Sequence, residues 1–191
     1  MPTHRTEDLT YSGIDFTKEP LPPGDFEQCT FIRCVFTRAD LSGRSFMECT
    51  FKGSDLSMVR VTRARIHDCT FTNCKLLDVS FDNGQTNLFS AIFNDCLLDS
   101  CSFQGMALQR TQFIGGRLHG VDFSRANLSG VAFEKSDLSD AVFDACDLQR
   151  ADFRTAQGFR MDPEKNRLKG ARFSLEGLPG LVTKHGLHID H

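Results

Sequence analysis

The residues best equipped for chemistry in this chain are its thiols, imidazoles and carboxylates: 8 Cys, 6 His and 25 Asp plus Glu among 191 residues. Thiols at suitable spacing form disulfides or hold zinc, imidazoles bind metals or move protons, and carboxylates pair as acid and base or engage basic partners. The spacing argues against most of this. The cysteines are Cys29, Cys34, Cys49, Cys69, Cys74, Cys96, Cys101 and Cys146. Neighbours such as Cys69 and Cys74 stand five apart, which is not the C-x-x-C spacing of a zinc site. An even count would also suit a disulfide framework, yet the opening MPTHRTEDLTYSG lacks the apolar run of a secretion signal. His4, His67, His119, His185, His188 and His191 are scattered, and His188 and His191 read as a tail with at most weak metal affinity. There is no Walker A loop, G-x-G-x-x-G, G-x-S-x-G or H-E-x-x-H. The expectation is a chain that is not an enzyme, with no catalytic residues, no cofactor and no metal.

What places the thiols is a lattice of period five. A large apolar residue recurs at Phe26, Phe31, Phe36, Leu41, Phe46, Phe51, Leu56, Val61, Ile66, Phe71, Leu76 and Phe81. It resumes at Leu88 and runs through Phe93, Leu98, Phe103 and onward to Phe153, with Phe and Leu alternating. Of 18 Phe, only Phe89 and Phe159 fall off the lattice. Five matches neither the helical period of 3.6 nor the strand period of 2, and a strict repeat over most of a chain marks a solenoid. All eight cysteines lie two residues before a centre, in a slot they share with Ala39, Ser54, Val79 and Ala126. Free Cys behaves as a small hydrophobe, so the reading is filler beside a large side chain. The residue just before the centre is often Asp or Asn, as at Asp40, Asp55, Asp122 and Asn127. These carboxylates read as local hydrogen-bond acceptors.

Three places depart from the lattice. Between Phe81 and Leu88 there are two extra residues, and Asn83-Gly84 signals a turn. A bulge is expected there, as a tolerated insertion or as a protrusion. Arg44 occupies an inward slot and must escape it, because a buried unpaired charge is costly. After Phe153 the repeat lapses, Leu168 and Phe173 return to it, and SLEGLPGLVTKHG reads as a short helix with Ser174 as N-cap and Gly186 as C-cap. LHID beyond it reads as a terminal strand.

Charge is nearly balanced, 22 basic against 25 acidic, for a net −3. This is no polycation for direct nucleic-acid binding and no polybasic membrane anchor, and no stretch approaches the ~20 apolar residues of a membrane span. The simplest location is cytoplasmic. Locally the charge is uneven: residues 131–152 carry six acids and two bases, residues 153–172 six bases and two acids. The acidic band beside a basic cap reads either as an internally compensated pair or as a surface for a partner. Arg60, Arg63 and Arg65 form a separate basic cluster, read as a solvated face.

The units RADLS, GSDLS, RANLS, KSDLS, CDLQR and RADFR resemble the A-(D/N)-L-x-x consensus of the pentapeptide repeat family, and the chain is similar to its gyrase-protecting members of the Qnr and MfpA type. The resemblance implies an all-β solenoid, a right-handed quadrilateral β-helix of 20-residue coils with a short C-terminal helical cap. The corresponding division is an N-terminal cap at 1–23, the β-helix at 24–157 with its break at 82–87, and a loop, helix and dimerisation cap at 158–191. The resemblance further implies a DNA-mimicking homodimer that occupies DNA gyrase or topoisomerase IV and protects it from quinolones or a peptide toxin. The acidic surface would be Asp122, Glu134, Asp137, Asp140, Asp144, Asp147 and Asp152. The dimer contact would be Leu175, Leu178, Leu181, Val182, Leu187 and Ile189. The alternative is a structural or protein-interaction module with another partner.

Overall fold

A chain with one large and one small apolar group in every five residues can bury both only by turning after each unit, and four such turns close a tube. In the computed structural model, which describes residues 5–187, coils stack with a register of 20 residues: Phe31 lies beside Phe51 and Phe46 beside Phe26. The fold is a parallel β-solenoid, a quadrilateral β-helix. Face one carries strands β1 (Arg5–Glu7), β3 (Asp25–Glu27), β5 (Ser45–Met47) and β7 (Arg65–His67), paired in that order. Face two carries β2 (Thr10–Ser12), β4 (Thr30–Ile32), β6 (Thr50–Lys52), β8 (Cys69–Thr72), β9 (Ala91–Asn94), β10 (Gln112–Ile114) and β11 (Phe133–Glu134). Faces three and four are held by single bridges, such as Asp15 to Val35 and Ser102 to Asp122.

The core is aromatic. Face two presents an unbroken column of stacked rings, Tyr11, Phe31, Phe51, Phe71, Phe93, Phe113, Phe133, Phe153 and Phe173, with neighbouring centroids 4.8–5.5 Å apart. Phe103, Phe123 and Phe143 form a second column on the opposite face and meet the first edge to face, as Phe103 does Phe113 at 5.7 Å. Such pairs add about 0.5–1.5 kcal/mol beyond the area they bury. The alternation of Phe and Leu is thus the sequence image of two opposed aromatic walls.

All eight cysteines are buried and free. They also do something the spacing did not reveal: each thiol lies against a backbone carbonyl. Cys49 donates to the Phe26 carbonyl (3.4 Å), Cys69 to Phe46 (3.4 Å) and Cys146 to Phe123 (3.0 Å), each a centre on the preceding face of the coil below. Ser54 and Ser136 make the same bond, to the Phe31 and Phe113 carbonyls at 3.2 and 3.3 Å. The slot therefore selects a small group, and where that group carries a donor the carbonyl below accepts it. Burial pushes the Cys101 thiol up to about 12 and Cys146 to about 11, which keeps both from the nucleophilic thiolate form.

The corners carry a second hidden requirement. The residue two after most centres has positive φ, as at Gln28 (53°), Asp68 (49°), Arg125 (61°) and Ala145 (55°). Glycine takes the position at Gly53 and Gly130. This left-handed conformation turns the chain onto the next face, and non-glycine residues adopt it at some cost. The Asp or Asn before the centre braces the same corner. Asp40 accepts the Ser42 N–H (3.0 Å), Asp122 that of Ser124 (2.8 Å) and Asp137 that of Ser139 (3.0 Å).

At the break the register steps by 22, Phe71 lying beside Phe93, and then returns to 20. Short 3-10 turns at Phe81–Asn83 and Thr86–Leu88 absorb the two residues. The lattice does not resume at Leu88, which is 58% exposed. Phe89 enters the core instead and packs edge to face on Phe81 (5.6 Å) and Phe103 (6.1 Å). The second 3-10 turn shifts the chain by one position, so the larger residue takes the inward place. Gly84 permits the close approach, since a Cβ there would lie 3.1 Å from the Ala64 and Phe81 carbonyls. His67 Nδ1, 2.7 Å from the Leu88 carbonyl, and Ser90 Oγ, donating to Asp68 Oδ1 at 2.6 Å, tie the bulge down.

Arg44 leaves its slot by donating to three carbonyls, Leu21 (2.6 Å), Asp40 (2.7 Å) and Pro22 (3.3 Å). The C-terminal helix is shorter than its apolar pattern implies: α1 spans Pro179–Val182 and passes into a 3-10 turn at Thr183–His185. Proline has no N–H to continue a ladder but suits the first turn, so the helix begins there. Ser174 caps a separate turn, accepting the Gly177 N–H at 3.2 Å. Gly186 ends the segment at φ 62°. The LHID strand expectation falls on residues of which only Leu187 is described.

Candidate functional site: an acidic strip on faces three and four

With the core filled, the outward residues carry the chemistry. Position along the 20-residue coil decides the face. Asp122 and Asp144 lie on face four, and Asp137 and Asp140 on face three and the corner joining it to face four. Asp78, Asp82 and Asp99 of the preceding coils join them. The structure thus brings together four of the seven expected acids with three that sequence reasoning missed. Reading each acid by its place in the coil, rather than along the chain, is the signal that finds them.

The other three are elsewhere. Asp147 is on face one, and Glu134 and Asp152 are on face two. Each has a base beside it: Arg167 at 3.0 Å from Asp147, Arg154 at 2.7 Å from Asp152, Lys135 at 4.0 Å from Glu134. On these faces the basic cap neutralises the acidic band. The hydrogen bonds of Arg154 hold the Asp152 carboxyl below the usual carboxylate range.

The strip is less compensated. Arg117 holds Asp99 (2.9 Å), His119 Nε2 lies 2.9 Å from Asp140, and Lys165 reaches Asp144 at 3.7 Å. Among the described residues, Asp122 accepts only from the Ser124 N–H and, at 3.5 Å, from Gln104. Ser139, donating from N–H and Oγ (2.6 Å), lowers the Asp137 pKa and keeps it ionised. Arg60, of the basic cluster, pairs with Asp40 at 2.7 Å, and Arg65 donates to Gln85 at 3.3 Å.

The family model for the pentapeptide repeat region matches residues 24–103, 64–138 and 86–157. The chain belongs to the pentapeptide repeat family. Its fold is similar to a trypsin-treated form of QnrB1, a plasmid-mediated fluoroquinolone resistance protein, at 20% identity over 98% of this chain and 100% of that one, with a TM-score of 0.55. It is also similar to HetL, a pentapeptide repeat protein involved in heterocyst differentiation regulation from the cyanobacterium Nostoc, at 19% identity over 91% and 87%, with a TM-score of 0.64. A comparison with curated protein sequences finds no match. At these identities the likeness is one of fold.

At the C-terminal end, the pentapeptide tube leaves Leu175 (81%), Leu178 (44%) and Leu187 (60%) exposed, while Leu181 packs on the core and Val182 is half-buried. Ile189 lies outside the described residues. An open cleft of about 760 Å³ lies where the cap leaves the last coil, lined by Asp140, Arg154, Gln157, Arg160, Glu176 and Thr183 among others. Among the described residues no helix is long and apolar enough to cross a membrane.

Proposed function

We propose that the protein is a non-enzymatic docking rod whose acidic strip imitates the charge of DNA and occupies the DNA-binding surface of DNA gyrase or topoisomerase IV, in the cytoplasm, protecting the enzyme from quinolones or a peptide toxin. The observation that carries this is the gathering of Asp78, Asp82, Asp99, Asp122, Asp137, Asp140 and Asp144 on two adjoining faces, where the bases beside them include Lys75, Arg117, Arg125 and Lys165. Stacked coils repeat at about 4.8 Å, a spacing of the same order as the ~3.4 Å per phosphate along one DNA strand. The fluoroquinolone resistance role of QnrB1, a protein of the same fold, supports trying gyrase first. Exposed Leu175, Leu178 and Leu187, with Leu181, Val182 and Ile189, are proposed to join two copies into a homodimer. A supercoiling assay with purified gyrase and topoisomerase IV, with and without a quinolone, tests the reading. Inhibition or protection is expected at micromolar protein, and neither effect nor binding at that level contradicts it.

A second reading, an interaction module for a different partner, is favoured by the neutralised charges of Glu134, Asp147 and Asp152 and by the net charge of only −3. The regulatory role of HetL suits it.

A further inference from the structure

We propose that the N-terminal end of the tube is a docking edge for a second copy of this chain, and that its occupant is the segment Leu187–His191 of that copy, added as one more parallel strand beneath β2. Strands β1 and β2 are the terminal strands of their sheets. In the face-two ladder, Thr30 donates to the Leu9 carbonyl (2.9 Å) and Gly13 to the Ile32 carbonyl (2.8 Å). Backbone groups alternate in direction along a strand, so the N–H and C=O of both Thr10 and Ser12 point away from the tube. Among the described residues no strand pairs with that side. The same end leaves Leu9 51% exposed and stacks the Tyr11 ring on Phe31 from one side only. Pro20, Pro22 and Pro23 block face four at this end, because proline has no N–H to offer a ladder, and direct an incoming strand to face two.

The tail has the composition of a face-two unit. Leu187-His188-Ile189-Asp190-His191 places apolar groups two before and at the centre, as Leu9-Thr10-Tyr11-Ser12-Gly13 does. The residue ahead of it, Gly186, holds φ 62°, the corner conformation that Asp8 (55°) holds ahead of Leu9. In that register Leu187 covers Leu9, Ile189 covers the open face of Tyr11, and His185 falls at the carboxylates of Glu7 and Asp8. The contact joins unlike ends and is open-ended; it takes Leu187 and Ile189 away from the closed cap-to-cap dimer, which would then rest on Leu175, Leu178, Leu181 and Val182. It is the β-strand addition mode of peptide recognition, in which main-chain bonds supply affinity and alternate side chains specificity.

The test is titration of a labelled peptide with the sequence of residues 184–191 into the full chain. Saturable binding is expected. Leu9→Asp should weaken it about tenfold or more, as should Thr10→Pro, which removes an outward N–H. Leu175→Asp should leave it unchanged, and a thermal melt of each variant checks that the tube is intact. No saturable binding at millimolar peptide, or affinity unchanged in both Leu9→Asp and Thr10→Pro, overturns the proposal.

Discussion

Before the break, the rings that lean on the face-two column come from its neighbours: Phe26 and Phe46 on face one, Phe16 and Phe36 on face three. From Phe81 onward they come from the opposite wall, Phe81, Phe103, Phe123 and Phe143. Between the two patterns lies a void of about 20 Å³ lined by Val59, Val61, Ile66, Leu76 and Phe81 among others. One column is the spine of the whole tube, whereas the second wall changes sides at a coil that is imperfectly filled. The two extra residues sit in that same coil, where aliphatic side chains have replaced rings.

The largest effect should come from the shared spine. Phe51→Ala in the first segment and Phe113→Ala in the second should each cost about 3–5 kcal/mol, measured by denaturant unfolding. A large cost in one segment and a small one in the other would show that the column is not a single structure. The junction gives the next contrast. Phe89→Ala should cost about 3 kcal/mol or more and Leu88→Ala less than about 0.5 kcal/mol. The reverse order would return the lattice to Leu88.

Acid should act on both segments alike. Hydrogen bonds from Ser42 to Asp40, from Ser90 to Asp68, from Ser139 to Asp137 and from Arg154 to Asp152 lower those carboxyl pKa values. A depressed folded-state pKa means stability that is complete above the unfolded value near 3.9 and is lost as pH falls through the folded one. The melting temperature should therefore hold above about pH 5 and fall below about pH 4, less steeply in Asp68→Asn and Asp152→Asn than in the wild type. A curve that falls in one segment's variants only would separate the two. The smallest effect is at the void: Val61→Ile should stabilise by up to about 0.5 kcal/mol, at ~24 cal/mol per Å³ filled, and destabilisation would mean that the space is already taken up.

Much of this was legible in the chain. The period of five and the slot shared by all eight cysteines follow from spacing alone, and the opposed walls of the second segment follow once the coil has the four sides that the family resemblance implies. Leu88 was misplaced because a two-residue insertion can be absorbed on either side of an apolar pair, and only the 3-10 turn at Thr86–Leu88 decides which residue faces inward. The thiol-to-carbonyl bonds and left-handed corners were hidden because they depend on the coil below and on backbone dihedrals, which composition does not express. For the acids, linear proximity concealed that Asp137, Asp147 and Asp152 turn to three different faces.

The central functional claim is that faces three and four, not one and two, meet the partner. The direct measurement is gyrase supercoiling titrated with two variants: one with Asp122, Asp137, Asp140 and Asp144 all changed to Asn, the other with Glu134→Gln, Asp147→Asn and Asp152→Asn. The account predicts that the first loses its effect on the enzyme while the second, still folded, keeps it. Equal loss in both, or loss in the second alone, would contradict it.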